Sequence, residues 1–544
     1  MLQRLLSILS LFTPFQNPIH TPSVVHLPGY GAFSGRTISQ TLSGSALPAP
    51  VHAWLGIDYG TQPQGPGRFA PVAPPAEFSG VKPAHEYGNI CVQLNSAWIH
   101  MGEDCLSMNV FRPEDAGDAA KLPVLVWVHG GSFQSGSSRD FDGASFVASS
   151  RTPLMVVTFN YRLGSLGFLP SRLFEDHGLL NLGLQDQYAL LKFVQKYISE
   201  FGGDPEKVTV GGLSAGAHAV GFHYQHIEEG GKPLLHQAIM QSGGPTARAF
   251  PNHTYPLYQQ NYAEYLSAVG CSEIAGDSAV LACLREIDIK IIWNVGNRMF
   301  LRSMRNVTWP FQPVSGGPLI PQLGSTSYAD GKFNKVPVLT SYSTNEGRAF
   351  TPHDLSTNDD VLEWISTIAP GLDQKDKEII TNLYPDPQTD PLSPYANSPL
   401  SPQYYRAAAL YSDYSYICSA QENAVSISRV GVPVWKLHFD TNNSRPWYMG
   451  IPHAADMSYI WNEPKVQHPQ VAHFYHAYYA SFVAAGDPNA HQLRGSPAWT
   501  GYAEGGTHLG VQLRLSSHEA VMERDVCRRQ ACEFWRGIHE KLTR

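Results

Sequence analysis

The sequence predicts an α/β fold, with a central, mostly parallel β-sheet carrying helices on both faces. Three observations lead there. Continuous apolar runs bounded by turn residues recur along the chain, stretches of helical periodicity lie between them, and no repeat, charge run or long Gly/Ser tract divides the 544 residues. Strands buried on both faces read as unbroken apolar runs because neither face meets water, and parallel neighbours are joined by right-handed helical crossovers. With no linker composition, residues 21–544 read as one domain.

Taken in order, residues 1–20 open with a single cation, Arg4, followed by the apolar stretch Leu5–Phe12. This is the composition of a secretory signal peptide or, in the blander reading, of an N-terminal tail. The Pro-rich stretches Leu47–Pro50, Pro71–Pro75 and Asp386–Pro402 read as surface loops. Buried strands are expected at Pro123–Val128, Leu154–Thr158, Val208–Val210, Ala238–Met240 and Val336–Leu339, with a further strand-like run at Val432–Phe439. Between Leu184 and Phe201 the residues Leu184, Tyr188, Leu191, Val194, Ile198 and Phe201 make one helical stripe, and Gly202-Gly203-Asp204-Pro205 stops it. Val521–Leu542 reads as a final amphipathic helix.

Composition excludes several classes of function. A formal charge of −8 with no basic cluster argues against nucleic acid or anionic membrane as partner. No stretch approaches the roughly 18 unbroken apolar residues of a spanning helix, so stable membrane insertion is not expected. HExxH, P-loop and dinucleotide fingerprints are missing, and no cofactor is implied. His218, His223 and His226 have no acidic ligand nearby and read as a helix face rather than a metal site. Seven cysteines include two short-range pairs, Cys91 with Cys105 and Cys271 with Cys283, and sequons occur at Asn252, Asn306 and Asn442. Together with the N-terminus they favour a secreted protein. Nothing in the sequence specifies an oligomeric state.

The chemistry is carried by Gly212-Leu213-Ser214-Ala215-Gly216, which follows an apolar run and precedes a helix-forming segment. A serine lifted off a strand end takes a strained conformation, and strand and helix then meet so closely that a Cβ two residues to either side would clash. Acyl transfer through such a serine also needs a base, an acid that orients it, and donors for the developing oxyanion. Gly130 and Gly131 follow a buried strand and present amides with no obstructing side chain; Ala215 supplies a third. Glu346 lies just past the strand at Val336–Leu339 and is the candidate acid, with Asp413 in reserve. His453, beyond Val432–Phe439, is the candidate base. No catalytic metal is called for.

With these motifs in place the chain resembles the type-B carboxylesterase family, the cholinesterase and carboxylesterase-lipase group of α/β-hydrolases. The resemblance runs through Glu103-Asp-Cys105-Leu-Ser-Met-Asn109-Val, His129-Gly130-Gly131-Ser132-Phe133, Asn160-Tyr161-Arg162-Leu-Gly164, Gly183-Leu-Gln-Asp186-Gln187, Phe201-Gly-Gly-Asp-Pro205, Met240-Gln-Ser-Gly243, Gly486-Asp-Pro-Asn489 and Phe534-Trp535. It implies an α/β-hydrolase fold and a serine esterase in which Ser214 is nucleophile, Glu346 acid, His453 base, and Gly130, Gly131 and Ala215 the oxyanion donors. It further implies disulfides Cys91–Cys105, Cys271–Cys283 and Cys418–Cys532, with Cys527 free. Two departures stand out. Leu213 occupies the place where the family usually has glutamate, which leaves Arg162 without its expected buried partner and argues against choline esters. The loop Val92–Asp104 is too short for an amphipathic lid, which favours a small soluble ester over an oil surface; Trp98 within it would line the substrate pocket or pack in the core. The rival expectations are a transacylase or biosynthetic hydrolase of an ester, lactone or thioester, and a non-catalytic binding module.

Overall fold

The computed structural model describes residues 24–94, 98–117, 119–317, 319–505 and 510–544, so the proposed signal segment lies outside the described residues. Its centre is an eleven-stranded sheet. In chain order the strands are β1 (Arg36–Gln40), β2 (Ala46–Asp58), β3 (Ser107–Pro113), β4 (Leu122–Val128), β5 (Met155–Phe159), β6 (Gly203–Leu213), β7 (Gln237–Gln241), β8 (Val338–Ser343), β9 (Val434–Asp440), β10 (Val511–Ser516) and β11 (Ala520–Arg524). Their spatial order is β11-β10-β9-β8-β7-β6-β4-β5-β3-β2-β1. From β10 to β5 all neighbours are parallel, and antiparallel pairs close both edges.

The apolar runs are buried on both sides, as their composition demands. Val124, Val126 and Val128 of β4 enter one core while Leu125 and Trp127 enter the other. Helices α1 (Leu182–Tyr197) and α2 (Ala215–Gln225) cover the first face and α4 (Pro469–Ala485) the second; between them in sequence runs α3 (Cys418–Ser428). The stripe of α1 ends where Gly202 takes φ 87°. Two cores on opposite faces of one parallel sheet are the layered arrangement that alternating strands and helices require.

Two sequence expectations fail here. Leu47–Pro50 is the outer end of β2 rather than a loop. Its prolines are accepted because that end is exposed and the ladder to β1 is already broken between Ile38 and Gln40, so little pairing is lost there. Val521–Leu542 is not one helix: Ala520–Arg524 forms the antiparallel edge strand, and α5 (Arg529–Gly537) starts after Arg528 turns at φ 58°. An open edge on β10 offers backbone partners that an isolated reading of Val521 and Met522 does not reveal.

Disulfides join Cys91 to Cys105, Cys271 to Cys283 and Cys418 to Cys532, and Cys527 is free and exposed. Asn252, Asn306 and Asn442 are all exposed. Among the described residues no helix is long and apolar enough to cross a membrane.

Candidate active site

In space β6 and β5 flank β4, so the chain winds away in both directions from the end of β4. Such a switch point opens a crevice beyond the carboxyl ends of the strands. His129-Gly130-Gly131 leaves the end of β4, and Ser214 leaves the end of β6 beside it.

Ser214 has φ 58° and ψ −126°, a region that costs a non-glycine residue on the order of 1–3 kcal/mol. The glycines explain how the strain is held. A Cβ on Gly212 would stand 2.6 Å from the carbonyl carbon of Gly216, and one on Gly216 would collide with the Val128 carbonyl of the neighbouring strand. Strand and helix therefore lock the turn from both sides. The Ser214 amide donates to the Gln241 carbonyl at 3.0 Å, and α2 starts at Ala215, so its first free amides and the positive end of its dipole lie at the serine.

Gly130 packs directly against the serine: a Cβ there would lie 2.8 Å from the Leu213 carbonyl oxygen and 3.1 Å from Ser214 Cβ. Gly131 takes φ 109°, and a side chain on it would strike the Ser135 carbonyl. The turn is held from behind by His129, which stacks on Tyr161 at 4.3 Å while the Tyr161 hydroxyl donates to the His129 carbonyl at 2.9 Å.

Glu346 is fully buried just past β8. Its Oε1 accepts from the Ser242 hydroxyl and the Ser343 amide, both at 2.6 Å, and its Oε2 accepts from His453 Nδ1 at 2.5 Å. A carboxylate already taking two hydrogen bonds can only accept from the ring, which assigns the imidazole proton to Nδ1. The other nitrogen, Nε2, is then a lone pair; it is buried and has no hydrogen-bond partner. Phe350 and Tyr416 brace the ring at 5.2 and 4.4 Å. Ser242, itself at φ 48°, follows β7, the strand between the serine's strand and the glutamate's. One strand end thus touches both: Gln241 holds Ser214 and Ser242 holds Glu346.

Asp413 does not join this group. It is buried against Arg528 and the Tyr384 hydroxyl, each at 2.7 Å. His223 is a buried partner of Gln187 at 3.0 Å, its pKa lowered by burial to about 3, and His226 lies beyond the end of α2. Among the described residues no group of His, Cys, Asp and Glu gathers as a metal site. Arg162 does have a buried partner: Asp186 receives its Nε at 2.8 Å and its Nη2 at 2.5 Å, the role Leu213 cannot play. Trp98 is half-buried and meets Trp293 edge-on at 5.7 Å.

Sequence reasoning missed Ser242, although it lies in a motif already noted, Met240-Gln-Ser-Gly243. It also missed Asp456, three residues past His453. Burial and then the charge of Glu346 raise the Asp456 pKa to about 6. The Tyr475 hydroxyl donates to its Oδ2 at 3.0 Å, and Oδ1 has no partner.

The carboxylesterase family model matches residues 21–535. Secreted lipase 4 of Gibberella zeae is 48% identical over 534 residues, 96% of either chain. The para-nitrobenzyl esterase of Bacillus subtilis is 29% identical over 84% of this chain and 89% of its own. Among solved structures, the crystal structure of Aspergillus niger EstA superposes with a TM-score of 0.84 at 28% identity, covering 96% of this chain and 99% of that one. The sheet and its helices are the α/β-hydrolase fold of these enzymes. The chain belongs to the carboxylesterase family and is a serine carboxylic-ester hydrolase.

Proposed function

We propose that Ser214, His453 and Glu346 are the nucleophile, base and acid of this hydrolase, and that the amides of Gly130, Gly131 and Ala215 receive the oxyanion. The observation that carries the reading is the buried Glu346–His453 pair with an unpartnered Nε2, on the same sheet edge as the strained serine. His453 Nε2 takes the Ser214 proton as Oγ bonds to the ester carbonyl carbon, and the carbonyl electron pair becomes an oxyanion facing the amides. Collapse expels the alcohol, which leaves with the proton from Nε2. Water then attacks the acyl-enzyme by the same route, releasing the carboxylic acid and regenerating Ser214.

The substrate we infer is a small soluble ester. The Cys91–Cys105 loop is cross-linked at its base and paired there through Ile90–Cys91 and Met101–Gly102, a framework too short to carry an amphipathic flap. The lipase named among the relatives supports a second reading, an emulsified lipid ester. The three disulfides and exposed sequons support secretion.

Purified protein and Ser214→Ala, assayed on p-nitrophenyl esters of increasing chain length and on an emulsified triglyceride, test these points. Ser214→Ala should lose at least about 10⁴-fold in kcat with an unchanged melt. Activity greatest on short esters supports the soluble substrate; activity greatest on the emulsion overturns it. A fully active Ser214→Ala overturns the nucleophile.

A further inference from the structure

Arg248 is a buried cation beside the candidate active site that this chemistry leaves unused. It is 6% exposed, its Cζ lies 3.8 Å over the Trp309 ring, and its Nη2 donates to the Val307 carbonyl at 2.9 Å. No carboxylate among the described residues pairs with it. Its remaining nitrogens form no hydrogen bond among the described residues, and they are not among the fully enclosed, unpartnered polar atoms of the interior, so they keep contact with solvent. Trp309 meets Phe350 at 6.1 Å, and Phe350 meets His453 at 5.2 Å, so the guanidinium belongs to the aromatic wall that ends at the candidate base.

A second donor faces the same region. His218 stands one turn into α2 from Ser214, is 2% exposed, and contacts Phe250 and Tyr416. The Gly244 amide donates to its Nδ1 at 3.3 Å, which leaves the proton on Nε2. That N–H likewise has no acceptor among the described residues and is not sealed. Burial, then the charges of Arg248 and His453, hold its pKa well below the usual range, so the ring is a neutral donor. The nearby carboxylates cannot serve as acceptors for these groups: Glu346 is occupied by His453, Ser242 and Ser343, and Asp456 lies with Tyr475.

A buried guanidinium with most of its fork idle is costly, and a hydrocarbon side chain would line an apolar pocket better. A planar fork matches a carboxylate, to which it donates through parallel charge-assisted bonds. The geometry points to a carboxylate subsite: the enzyme takes an ester that bears a second, ionised carboxyl group, gripped by Arg248 with His218 as the neighbouring donor. This rests on the proposed triad, since the subsite matters for hydrolysis only if Ser214 is attacked there.

The test compares matched esters on the wild-type protein and Arg248→Gln. Mono-p-nitrophenyl glutarate against p-nitrophenyl butyrate places the charge on the acyl side; 4-carboxyphenyl butyrate against phenyl butyrate places it on the alcohol side. In one of the two pairs the anionic-to-neutral ratio of kcat/KM should fall at least about tenfold in Arg248→Gln, through KM, with Arg248→Lys retaining part of it. Ratios within about twofold of wild type in both pairs overturn the subsite. Should Arg248→Gln misfold, calorimetric binding to Ser214→Ala decides: in one of the two pairs it should hold the anionic ester at least about tenfold more tightly than its neutral counterpart, and equal binding in both pairs overturns the proposal. Wild-type protein inactive on every ester would count against the triad, while the Ser214→Ala binding would still report on the subsite alone.

Discussion

Glu346 and Asp413 are both fully buried carboxylates held by a basic side chain, yet the partner differs: an imidazole for Glu346, a permanent cation for Asp413. The partner of Asp413 is Arg528, a permanent cation, and the Tyr384 hydroxyl completes its shell while Trp535 of α5 donates to Tyr384 at 3.0 Å. Beside it the Cys418–Cys532 disulfide joins the same helix to α3. Every group points inward and ties the C-terminus down. Glu346 instead holds an imidazole by one nitrogen and leaves the other buried with a free lone pair. Burial raises the Asp413 pKa, and Arg528 and Tyr384 oppose the rise. What separates the two carboxylates is the free valence on the partner of Glu346, not burial or pairing.

Of the two carboxylates, Glu346 should give the larger loss of turnover, in Glu346→Gln. The amide cannot accept from Nδ1–H in the same way while serving Ser242 and Ser343, so the ring loses its tautomer. A fall in kcat of about 10³–10⁴-fold is expected on p-nitrophenyl butyrate, with a near-native melt. A loss smaller than about tenfold would place the orienting role elsewhere. Asp413→Asn should give the opposite pattern, a stability loss of about 2–4 kcal/mol in urea unfolding, discounted because the Arg528 side chain is 26% exposed. Its kcat should stay within about threefold; a collapse of kcat at unchanged stability would erase the distinction between the two carboxylates.

Asp456 sharpens the comparison from a third position, half satisfied and close to Glu346. Its folded-state pKa of about 6 is above that of an unfolded aspartate, which is about 4. The native state therefore binds the proton more tightly. The stability this contributes is fully present below about pH 4 and is lost as pH rises through about 6. Asp456→Asn, which cannot ionise, should gain on the wild type by about 3 kcal/mol across that interval and hold a constant lead above it, read from urea midpoints at stepped pH. A difference that does not vary with pH would mean that folding leaves the Asp456 pKa unshifted.

The strained turn at Ser214 was legible in the sequence because its cause is local. Gly212 and Gly216 are required by contacts within five residues and with the adjoining strand, so the need is written at the site itself. The buried parallel strands were legible for a similar reason: two-sided burial leaves a run such as Val124–Val128 with no polar face. The chain order of Ser214, Glu346 and His453 also followed from motifs that each end a strand of the sheet.

What held those residues in place was not legible. Ser242 reaches Glu346 across 104 positions, and Asp186 reaches Arg162 across 24, through contacts that exist only once the sheet has ordered its strands. The assignment of Asp413 as a staple depends on Arg528, a further 115 positions along. The C-terminal segment shows the limit most directly. Val521 and Met522 suit either a helix stripe or an edge strand, and the open backbone of β10 decided between them. Local sterics and burial periodicity are properties of neighbouring residues and so belong to the sequence; the pairing of a buried charge or a free strand edge depends on which distant group arrives, and that only the tertiary structure could decide.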